Sequence, residues 1–305
     1  MAGLRTLCTD QVDAAAVTRI YRTHRGHPAV LALSKTRSRL GHTNVLVALT
    51  RAVSPHLDRC ELTHLEREPI DLRLAEAQHI AYEQCLRQLG CTIVQVPPAP
   101  DQPDSVFIED TAVVVDELAV TTRPGAPSRR TETQAVAVAL AAYRPVVAIE
   151  APGTLDGGDV LRVNRTIYVG QSARTNAEGI AQLRRLLAPY GYTVNGVALT
   201  DCLHLKTAVT EVAEGTLLIN PRWVDPAAFK PFDLIEVDPS EPFGANALRL
   251  NDTTVHAAAW HRTRQRLQAQ GVNVTSIDAS EIAKAEGGVT CCSVILTAGP
   301  RDADG

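Results

Sequence analysis

Short blocks of apolar residues, separated by polar turns, run through most of the chain and predict many small strands with a few amphipathic helices. Apolar residues at positions 45 to 49 and at 92 to 96 predict two strands. Between them, a polar connection is followed by apolar residues at helical spacing from 71 to 89, and Gly90 is a typical helix stop. This region is therefore predicted to be a strand, a helix and a strand.

The order hairpin, helix, strand then recurs, which indicates an internal repeat. The predicted hairpins cover residues 106–122, 159–170, 205–220 and 247–256; the helices cover 131–143, 175–190, 222–229 and 259–270; the closing strands cover 145–149, 192–199, 233–237 and 273–277. A last strand at 293–296 would join the first strand, helix and strand as a fifth copy. Pairing the two ends in this way would close a ring and remove exposed sheet edges.

The predicted fold is therefore a five-bladed α/β propeller, with five modules around a pseudo-fivefold axis. The alternative is a doubly wound parallel sheet, but hairpins oppose it because adjacent parallel strands need crossover connections. We expect one α/β-propeller domain over residues 42–305. Residues 1–41 are predicted to be an N-terminal extension with a helix that Asp10 caps and that ends before Gly26, with Pro28 beyond it.

Composition narrows the range of partners. The chain has 305 residues and a formal net charge of -4, and its basic residues are scattered, which is not typical of nucleic-acid binding. No apolar run approaches the roughly 18 residues of a membrane span, and the start of the chain has no secretory signal pattern. We expect a cytoplasmic protein with no nucleic-acid or membrane partner, and homo-oligomer formation stays open.

The seven cysteines, at positions 8, 60, 85, 91, 202, 291 and 292, are irregularly spaced. An odd number without a C-x-x-C pair is not typical of a disulfide framework or a zinc site. Cys60, Cys85, Cys91 and Cys202 are expected to be small buried core residues. The other two follow Gly287-Gly288 and precede an apolar run, so Cys291 is predicted at a junction between loop and strand, where a nucleophile could lie.

In a ring, the starts of successive hairpins should meet at one end of the axis. These starts carry acids, a histidine and a cysteine, namely Asp104, Glu109, Asp110, Asp156, Asp159, His204 and Cys291. A thiol, an imidazole and a carboxylate are the elements of nucleophilic catalysis. An acidic pocket that holds them would suit a small cationic substrate.

Each of these residues also has a structural interpretation. His204, followed by Leu205 on a predicted strand, could be structural, and the segment from Asp156 to Asp159 could be only a turn. Cys291 and Cys292 could both lie in the core, although neighbours on a strand point to opposite faces. Their common position at the repeat boundaries favours the catalytic interpretation.

Several motifs together resemble the dimethylarginine dimethylaminohydrolase family, which is part of the guanidine-modifying superfamily with the five-bladed pentein fold. The resemblance covers roughly residues 43 to 296. It rests on Asp104-Ser-Val-Phe107-Ile-Glu109-Asp110, Thr122-Arg123 through Arg129-Arg130, Leu155-Asp156-Gly-Gly-Asp159, Arg174-Thr-Asn176, Leu203-His204-Leu-Lys206 and Thr290-Cys291-Cys292-Ser293.

The resemblance implies hydrolysis of Nω-methylated arginine to citrulline and methylamines. It implies that Cys291 attacks the guanidinium carbon and that His204 protonates the leaving methylamine. His204 would then activate water to hydrolyse the covalent thiouronium intermediate, with Asp156 supporting the imidazole. No metal and no cofactor is implied. A neighbouring imidazolium or a bound cation would favour the thiolate.

The resemblance also implies a set of substrate-binding residues. Asp110, with Glu109 beside it, would hold the guanidinium, and Leu62 would lie on a mobile flap over the pocket. The remaining contacts would come from Asp104, Arg129 and Arg174 at the α-amino and α-carboxylate groups, from Phe107, and from the backbone carbonyl near Ala285.

Two other functions stay open at this point. The first is arginine deiminase or another guanidine hydrolase of the same superfamily. Arginine deiminase has the same thiol chemistry and places a second guanidinium-binding Asp two residues after the histidine. Here that position is Lys206, which favours a methylated substrate. The second is a non-catalytic protein that binds arginine-like ligands on the same ring.

Overall fold

The computed structural model describes residues 45–298 of the chain. The helix and extension predicted for residues 1–41 lie outside the described residues.

The described residues form fifteen strands in five three-stranded sheets. Four sheets consist of an antiparallel hairpin and a third strand that returns parallel to the hairpin's second strand. The strands are β1 (Val45–Thr50), β2 (Cys91–Gln95), β3 (Ala112–Val114), β4 (Ala119–Thr121), β5 (Val146–Ala148), β6 (Val160–Val163), β7 (Thr166–Gln171), β8 (Thr193–Ala198), β9 (Val209–Ala213), β10 (Thr216–Ile219), β11 (Asp233–Glu236), β12 (Ala247–Leu250), β13 (Thr253–Ala257), β14 (Val274–Ile277) and β15 (Val294–Ala298).

The fifth sheet joins the two ends of the described chain. β1 lies between β15 and β2, antiparallel to the first and parallel to the second, with Val47 opposite Leu296. This sheet is the fifth copy predicted from the repeat, assembled from both ends of the chain. The prediction of a five-bladed α/β propeller is confirmed, and the doubly wound alternative is wrong because the hairpins form separate small sheets.

Helices connect the second and third strands of most modules. The longest begins after Asp71, whose carboxylate accepts hydrogen bonds from the backbone N–H groups of Arg73 and Leu74, as a helix cap does. The helices are α1 (Leu72–Gln88), α2 (Thr133–Ala141), α3 (Ala177–Leu187), α4 (Leu205–Ala208), α5 (His261–Ala269) and α6 (Ser280–Lys284). None of these described helices combines the length and the apolar character that crossing a bilayer requires.

In the third module the predicted hairpin forms but starts later than predicted, and the predicted helix is wrong. The predicted hairpin at 205–220 begins with the one-turn helix α4, so its first strand starts only at Val209. The predicted helix at 222–229 is reduced to a 3-10 turn at Pro226–Phe229, which Asp225 caps. Hydrophobic spacing alone does not distinguish such short segments from strands or longer helices.

Neighbouring modules share their hydrophobic cores. At the seam of the ring, Val47 of β1 and Leu296 of β15 pack in one cluster with Val136 and Leu140 of α2. Burial of each such side chain contributes about 1.5–3 kcal/mol relative to exposure. Because the helices and the apolar strand faces supply the cores between modules, the polar segments that start the hairpins are left to face one another.

Candidate active site

The segment before β15 carries the predicted nucleophile. Its tight geometry depends on glycine, because a Cβ atom on Gly287 would lie 2.3 Å from Cε1 of Phe107. The backbone N–H of Gly288 points at Cys291, with its nitrogen 3.3 Å from Sγ. Cys291 lies in a turn that ends just before β15 begins at Val294, close to the predicted junction of loop and strand.

The two adjacent cysteines lie in different surroundings. Cys291 is half-buried and borders a cavity, whereas Cys292 is 4% exposed and packs in a hydrophobic cluster with Tyr82. The expectation that the two cysteines point to opposite faces of a strand is wrong, because both residues lie in the turn before β15. Burial also raises the pKa of Cys292 well above its usual value. Their placement supports Cys291 as the nucleophile.

The thiol of Cys291 is held in its neutral form. Burial, followed by the carboxylates of Glu109 and Asp110, raises its pKa to about 12, although the Gly288 N–H and Lys206 oppose this shift. A thiol is nucleophilic only as the thiolate. Since nearby positive charge favours the thiolate, a cationic substrate bound beside these acids would itself lower the thiol pKa.

His204 lies between two buried carboxylates. Its Nε2 atom is 3.2 Å from Oδ2 of Asp156, and its Nδ1 atom is 3.9 Å from Oδ1 of Asp110. Burial lowers the histidine pKa, but Asp110, Asp159 and Asp156 together raise it to about 9. The imidazole is therefore protonated at neutral pH and can act as a general acid.

The strand predicted after His204 is wrong, since the next residue starts α4. The start of this helix is anchored by Oδ1 of Asp159, which accepts a hydrogen bond from the Leu205 N–H at 3.0 Å. Hydroxyl groups of Ser172 and Thr175 donate to the other oxygen of the same carboxylate, and burial raises the Asp159 pKa to about 6. Asp159 thus holds the histidine segment in place.

The segment Asp156-Gly-Gly-Asp159 is a 3-10 turn, and its glycines are required by the site. A Cβ atom on Gly158 would lie 2.6 Å from Nδ1 of His204, and one on Gly157 would lie 2.0 Å from the carbonyl oxygen of Glu109. The fully buried Asp156 carboxylate also accepts a hydrogen bond from the Gly125 N–H at 2.9 Å. The turn therefore makes room for the imidazole and fixes its carboxylate partner.

The adjacent acids Glu109 and Asp110 have different partners. Asp110 accepts hydrogen bonds from the buried Arg129 guanidinium at 2.7 Å and from the Gly158 N–H at 2.9 Å. Although burial raises its pKa, the charges of His204 and Arg129 lower it to about 2. This carboxylate is ionised and available to a cation.

Glu109 instead borders a separate cavity, where Lys206 and the Thr290 hydroxyl donate to its carboxylate. The contact with Thr290 is 2.8 Å, and Thr290 directly precedes Cys291. Burial raises the Glu109 pKa, against the opposing charge of Lys206. Glu109 therefore holds the turn that carries Cys291 through its hydrogen bond with Thr290, on the side away from the cavity that Asp110 borders.

The residues predicted to bind the two ends of the substrate have other partners in this structure. Arg129 donates to the Glu132 carboxylate and to the carbonyl oxygens of Asp104 and Phe107, in addition to Asp110. Arg174 donates to the Thr63 hydroxyl at 3.0 Å. Arg129 is therefore a buried residue that links Asp110 to Glu132 and to the backbone of the site. Arg174 is the arginine that contacts the flap.

The segment predicted as a flap connects β1 to α1. Within it, Leu62 packs against the hydrophobic cluster that contains Phe107 and Ala285, and its neighbour Glu61 borders the cavity. The carboxylate of Asp104 accepts a hydrogen bond from the Glu61 N–H at 3.2 Å. The flap is therefore closed over the site in this structure.

Most of the predicted site residues meet around one small cavity of about 20 Å³. Such a volume has room for about one water molecule. The predicted residues that border it are Asp104, Phe107, Asp110, Arg129, Arg174, His204, Ala285 and Cys291. Asp156 lies behind His204, Glu109 behind Cys291, and Leu62 in the cluster beneath the flap.

Four further residues border the cavity and were missed, namely Glu61, Leu203, Glu286 and Gly287. Three are chain neighbours of predicted residues, and the glycine pair was already a sign of close backbone approach. Glu286 gave no signal of its own, because its partners lie more than 200 positions away in sequence.

Asp110, Asp156 and His204 also form a group whose ligand-type atoms lie within 4.8 Å of one another, close enough to hold a metal ion. In this structure Asp110 is paired with Arg129, and Asp156 hydrogen-bonds to the imidazole. We interpret the group as one that orients and charges His204.

Known proteins resemble this chain along most of its length. The profile of a family described as N,N dimethylarginine dimethylhydrolase, eukaryotic, matches residues 62–228. An N(G),N(G)-dimethylarginine dimethylaminohydrolase of Streptomyces coelicolor is 42% identical over 82% of this chain and 96% of its own length. A protein of the same name from Pseudomonas aeruginosa is 38% identical over 73% of this chain and 89% of its own length.

Solved structures agree with these sequence matches. A cysteine-to-serine variant of the Pseudomonas aeruginosa protein, complexed with citrulline, is 35% identical with a TM-score of 0.78 and covers 82% of this chain and 98% of that chain. A cyanobacterial arginine dihydrolase domain is 20% identical with a TM-score of 0.74 over 83% of this chain and 98% of that chain, a likeness that shows the fold alone.

The fold and these relatives together define a hydrolase of the pentein fold that acts on guanidino C–N bonds. The chain belongs to the dimethylarginine dimethylaminohydrolase family. The family predicted from the sequence motifs is confirmed.

Proposed function

We propose that the protein hydrolyses Nω-methylated arginine to citrulline and a methylamine, through a covalent intermediate on Cys291. The observation that carries the proposal is that Cys291, His204 and Asp110 border one cavity. The nucleophile, the proton donor and the anion that attracts a guanidinium would therefore all reach one reacting carbon. Family membership and the citrulline complex of a relative support the same reaction.

The substrate would be oriented by charge at both ends. Its guanidinium would pair with the ionised Asp110 carboxylate. Arg174 is suited to its α-carboxylate, and Asp104 with the carbonyl of Ala285 is suited to its α-ammonium group. Because the free cavity has only about 20 Å³, the flap must open to admit a molecule of this size.

The first chemical step would form the carbon–sulfur bond. The guanidinium charge favours loss of the Cys291 proton to solvent, and the thiolate attacks the central guanidinium carbon. The tetrahedral adduct collapses as the protonated His204 gives its proton to the methylated nitrogen. The methylamine leaves, and a cationic S-alkylthiouronium remains on Cys291.

The second step would hydrolyse that intermediate. His204 is now neutral and takes a proton from a water molecule that attacks the same carbon. The Cys291 thiolate leaves as the ureido carbonyl of citrulline forms, and the hydroxyl proton passes to solvent. This returns the thiolate and the imidazolium. Asp156 would hold the imidazole in position throughout and stabilise its charged form.

The preference for a methylated substrate would follow from Lys206. Its ammonium group pairs with Glu109, so this position supplies a cation in place of the second carboxylate expected of an arginine deiminase. Asp110 is then the acid that faces the guanidinium from the cavity wall. Methylation removes N–H donors from the terminal nitrogens of the guanidinium. Because this site has one carboxylate fewer to accept from those donors, methylation would cost fewer hydrogen bonds here than in an arginine deiminase.

A substrate comparison tests the proposal. Purified protein should release dimethylamine from asymmetric dimethylarginine, with citrulline formed in equal amount. The Cys291→Ser variant should still bind substrate but should show no turnover. Faster ammonia release from arginine than amine release from the methylated substrate would contradict the assignment, and so would binding without turnover by the unmodified protein.

A further inference from the structure

Residues 61–65, which we call the lid, are hydrogen-bonded at three points to residues that border the small cavity, and the Glu61 carboxylate also accepts a hydrogen bond from the Ser128 hydroxyl at 2.6 Å. The N–H of Glu61 donates to the Asp104 carboxylate at 3.2 Å, and the hydroxyl of Thr63 accepts from Arg174 at 3.0 Å. The third point is the Glu286 carboxylate, which accepts the backbone N–H groups of lid residues 63, 64 and 65 at 3.0, 2.5 and 2.6 Å.

The backbone of Glu286 has a conformation that is uncommon for its residue type. Its φ angle is +57°, in the left-handed region that non-glycine residues seldom occupy. Three N–H donors converge on its single charged group, and hydrogen bonds to a carboxylate are among the stronger ones in proteins. The position of this side chain is therefore specified from both ends, by its own backbone and by the lid.

Glu286 lies on the segment that carries the chemistry. It follows Ala285, whose carbonyl is a proposed substrate contact, and it is five residues before Cys291. Glu286 borders both the small cavity and a larger, mostly apolar cavity of about 190 Å³, which is also lined by lid residues His64 and Leu65. Opening the lid at this point would join the closed site to the larger space.

The three ties differ in what a substrate would do to them. Asp104 and Arg174 are the groups proposed to bind the α-ammonium and α-carboxylate, so a bound substrate would compete with the lid for both. The contacts of Glu286 with lid residues 63–65 are made by backbone N–H groups that remain available when the substrate is present. Glu286 can therefore hold the lid when the substrate has replaced the lid as the hydrogen-bond partner of Asp104 and Arg174.

We propose that Glu286 is a positioning residue that latches the lid over the bound substrate. The part of this inference that concerns substrate rests on the proposed function. The latch itself is a property of the ligand-free protein. The two can therefore be tested separately.

Amide hydrogen exchange tests the latch without any turnover. Glu286→Gln keeps the side-chain length and the backbone preference but removes the charge and one acceptor oxygen. Amides of residues 63–65 should exchange about tenfold faster or more in this variant. Amides of β1, such as that of Leu49, should be unchanged, which shows that the fold is retained.

Glu66→Gln is the matched control, because Glu66 is an exposed glutamate next to the lid. It should leave the exchange of residues 63–65 unchanged. Equal exchange of residues 63–65 in the unmodified protein and in Glu286→Gln would overturn the latch, whether or not the protein has the proposed activity.

Steady-state kinetics then tests the coupling to substrate. Glu286→Gln should raise KM about tenfold and change kcat less than about threefold, since the latch retains the substrate but does not touch the reacting atoms. The same factor should appear with Nω,Nω-dimethyl-5-guanidinopentanoate, which lacks the α-amino group. A KM effect confined to the amino-acid substrate would make Glu286 a direct ligand of the ammonium group and would overturn the latch.

Discussion

The imidazole of His204 and the carboxylate of Asp156 form a buried pair, with Nε2 3.2 Å from Oδ2. Asp156 is itself fixed by the N–H of Gly125, so the pair has a defined orientation. Together with Asp110 and Asp159, this carboxylate raises the histidine pKa to about 9 despite burial. The imidazole is therefore protonated at neutral pH, as the proposed proton transfer from His204 to the leaving amine requires.

Asp156→Asn should lower the pKa of His204, because it removes one of the negative charges that raise it. In the unmodified protein kcat should decline at alkaline pH, where the imidazolium of His204 is lost. In the variant this decline should begin at lower pH, and kcat at neutral pH should fall about 10- to 100-fold. A pH profile of kcat checks both expectations.

The control for this variant is Asp252→Asn, at an exposed aspartate in the turn between β12 and β13. Its pH profile should match that of the unmodified protein. If the alkaline decline of kcat began at the same pH in Asp156→Asn as in the unmodified protein, Asp156 would not raise the pKa of His204.

Glu109→Gln should make the thiol of Cys291 more reactive in the free protein. After burial, the Glu109 charge is the largest cause of the raised thiol pKa, and Lys206 opposes it. Removing the glutamate charge therefore lowers the pKa, and each unit lowered gives about tenfold more thiolate at a given pH. Iodoacetamide labelling of the Cys291 peptide at several pH values measures this. Glu214→Gln, at an exposed glutamate, should label at the original rate.

Arg174→Met should weaken the binding of substrates that carry an α-carboxylate. Loss of a charge-assisted contact of this kind should raise KM about 10- to 100-fold. Nω,Nω-dimethylagmatine lacks the carboxylate, so its KM should change much less. Arg222→Met, at an exposed arginine in the loop after β10, should affect neither substrate. If Arg174→Met raised KM equally for both substrates, Arg174 would not bind the α-carboxylate of the substrate.

Gly287→Ala should disturb the site through Phe107. The added methyl group would lie 2.3 Å from Cε1 of Phe107 and 2.7 Å from Cγ2 of Ile282. Overpacking of this kind lowers the free energy of unfolding by about 1–3 kcal/mol and should also raise KM. Denaturant unfolding and steady-state kinetics give the two values. Gly196→Ala adds a methyl group that meets the flexible end of Gln171 at 3.1 Å and makes an ordinary contact with Cδ1 of Ile180 at 3.9 Å, so it should be close to neutral.

The ring of modules could be predicted because its turns follow local rules. The hairpins around Asn164-Arg165 and Asn251-Asp252 form where expected, and both asparagines adopt the left-handed backbone that such turns require, with φ angles of +56° and +53°. The apolar strand at 293–296 had no neighbouring hairpin to join. Its pairing with β1 could be predicted because the two together complete a fifth module.

The details of the site could not be predicted in the same way, because they depend on contacts between distant segments. Adjacent acids at 109 and 110 border different cavities, a difference set by Lys206 and Arg129 rather than by local sequence. The short helix after His204 is fixed by Asp159 from another module. Glu286 finds its partners only when the lid folds against the segment that precedes β15.

The central claim is that Cys291 forms a covalent intermediate with methylated arginine. Its most direct test is rapid acid quenching of the protein during turnover of asymmetric dimethylarginine, followed by mass spectrometry of the peptide that contains both adjacent cysteines. Fragmentation should place the mass of the thiouronium adduct on Cys291, and the adduct should be absent in Cys291→Ser. Turnover with no adduct on this peptide, or an adduct on Cys292, would contradict the account.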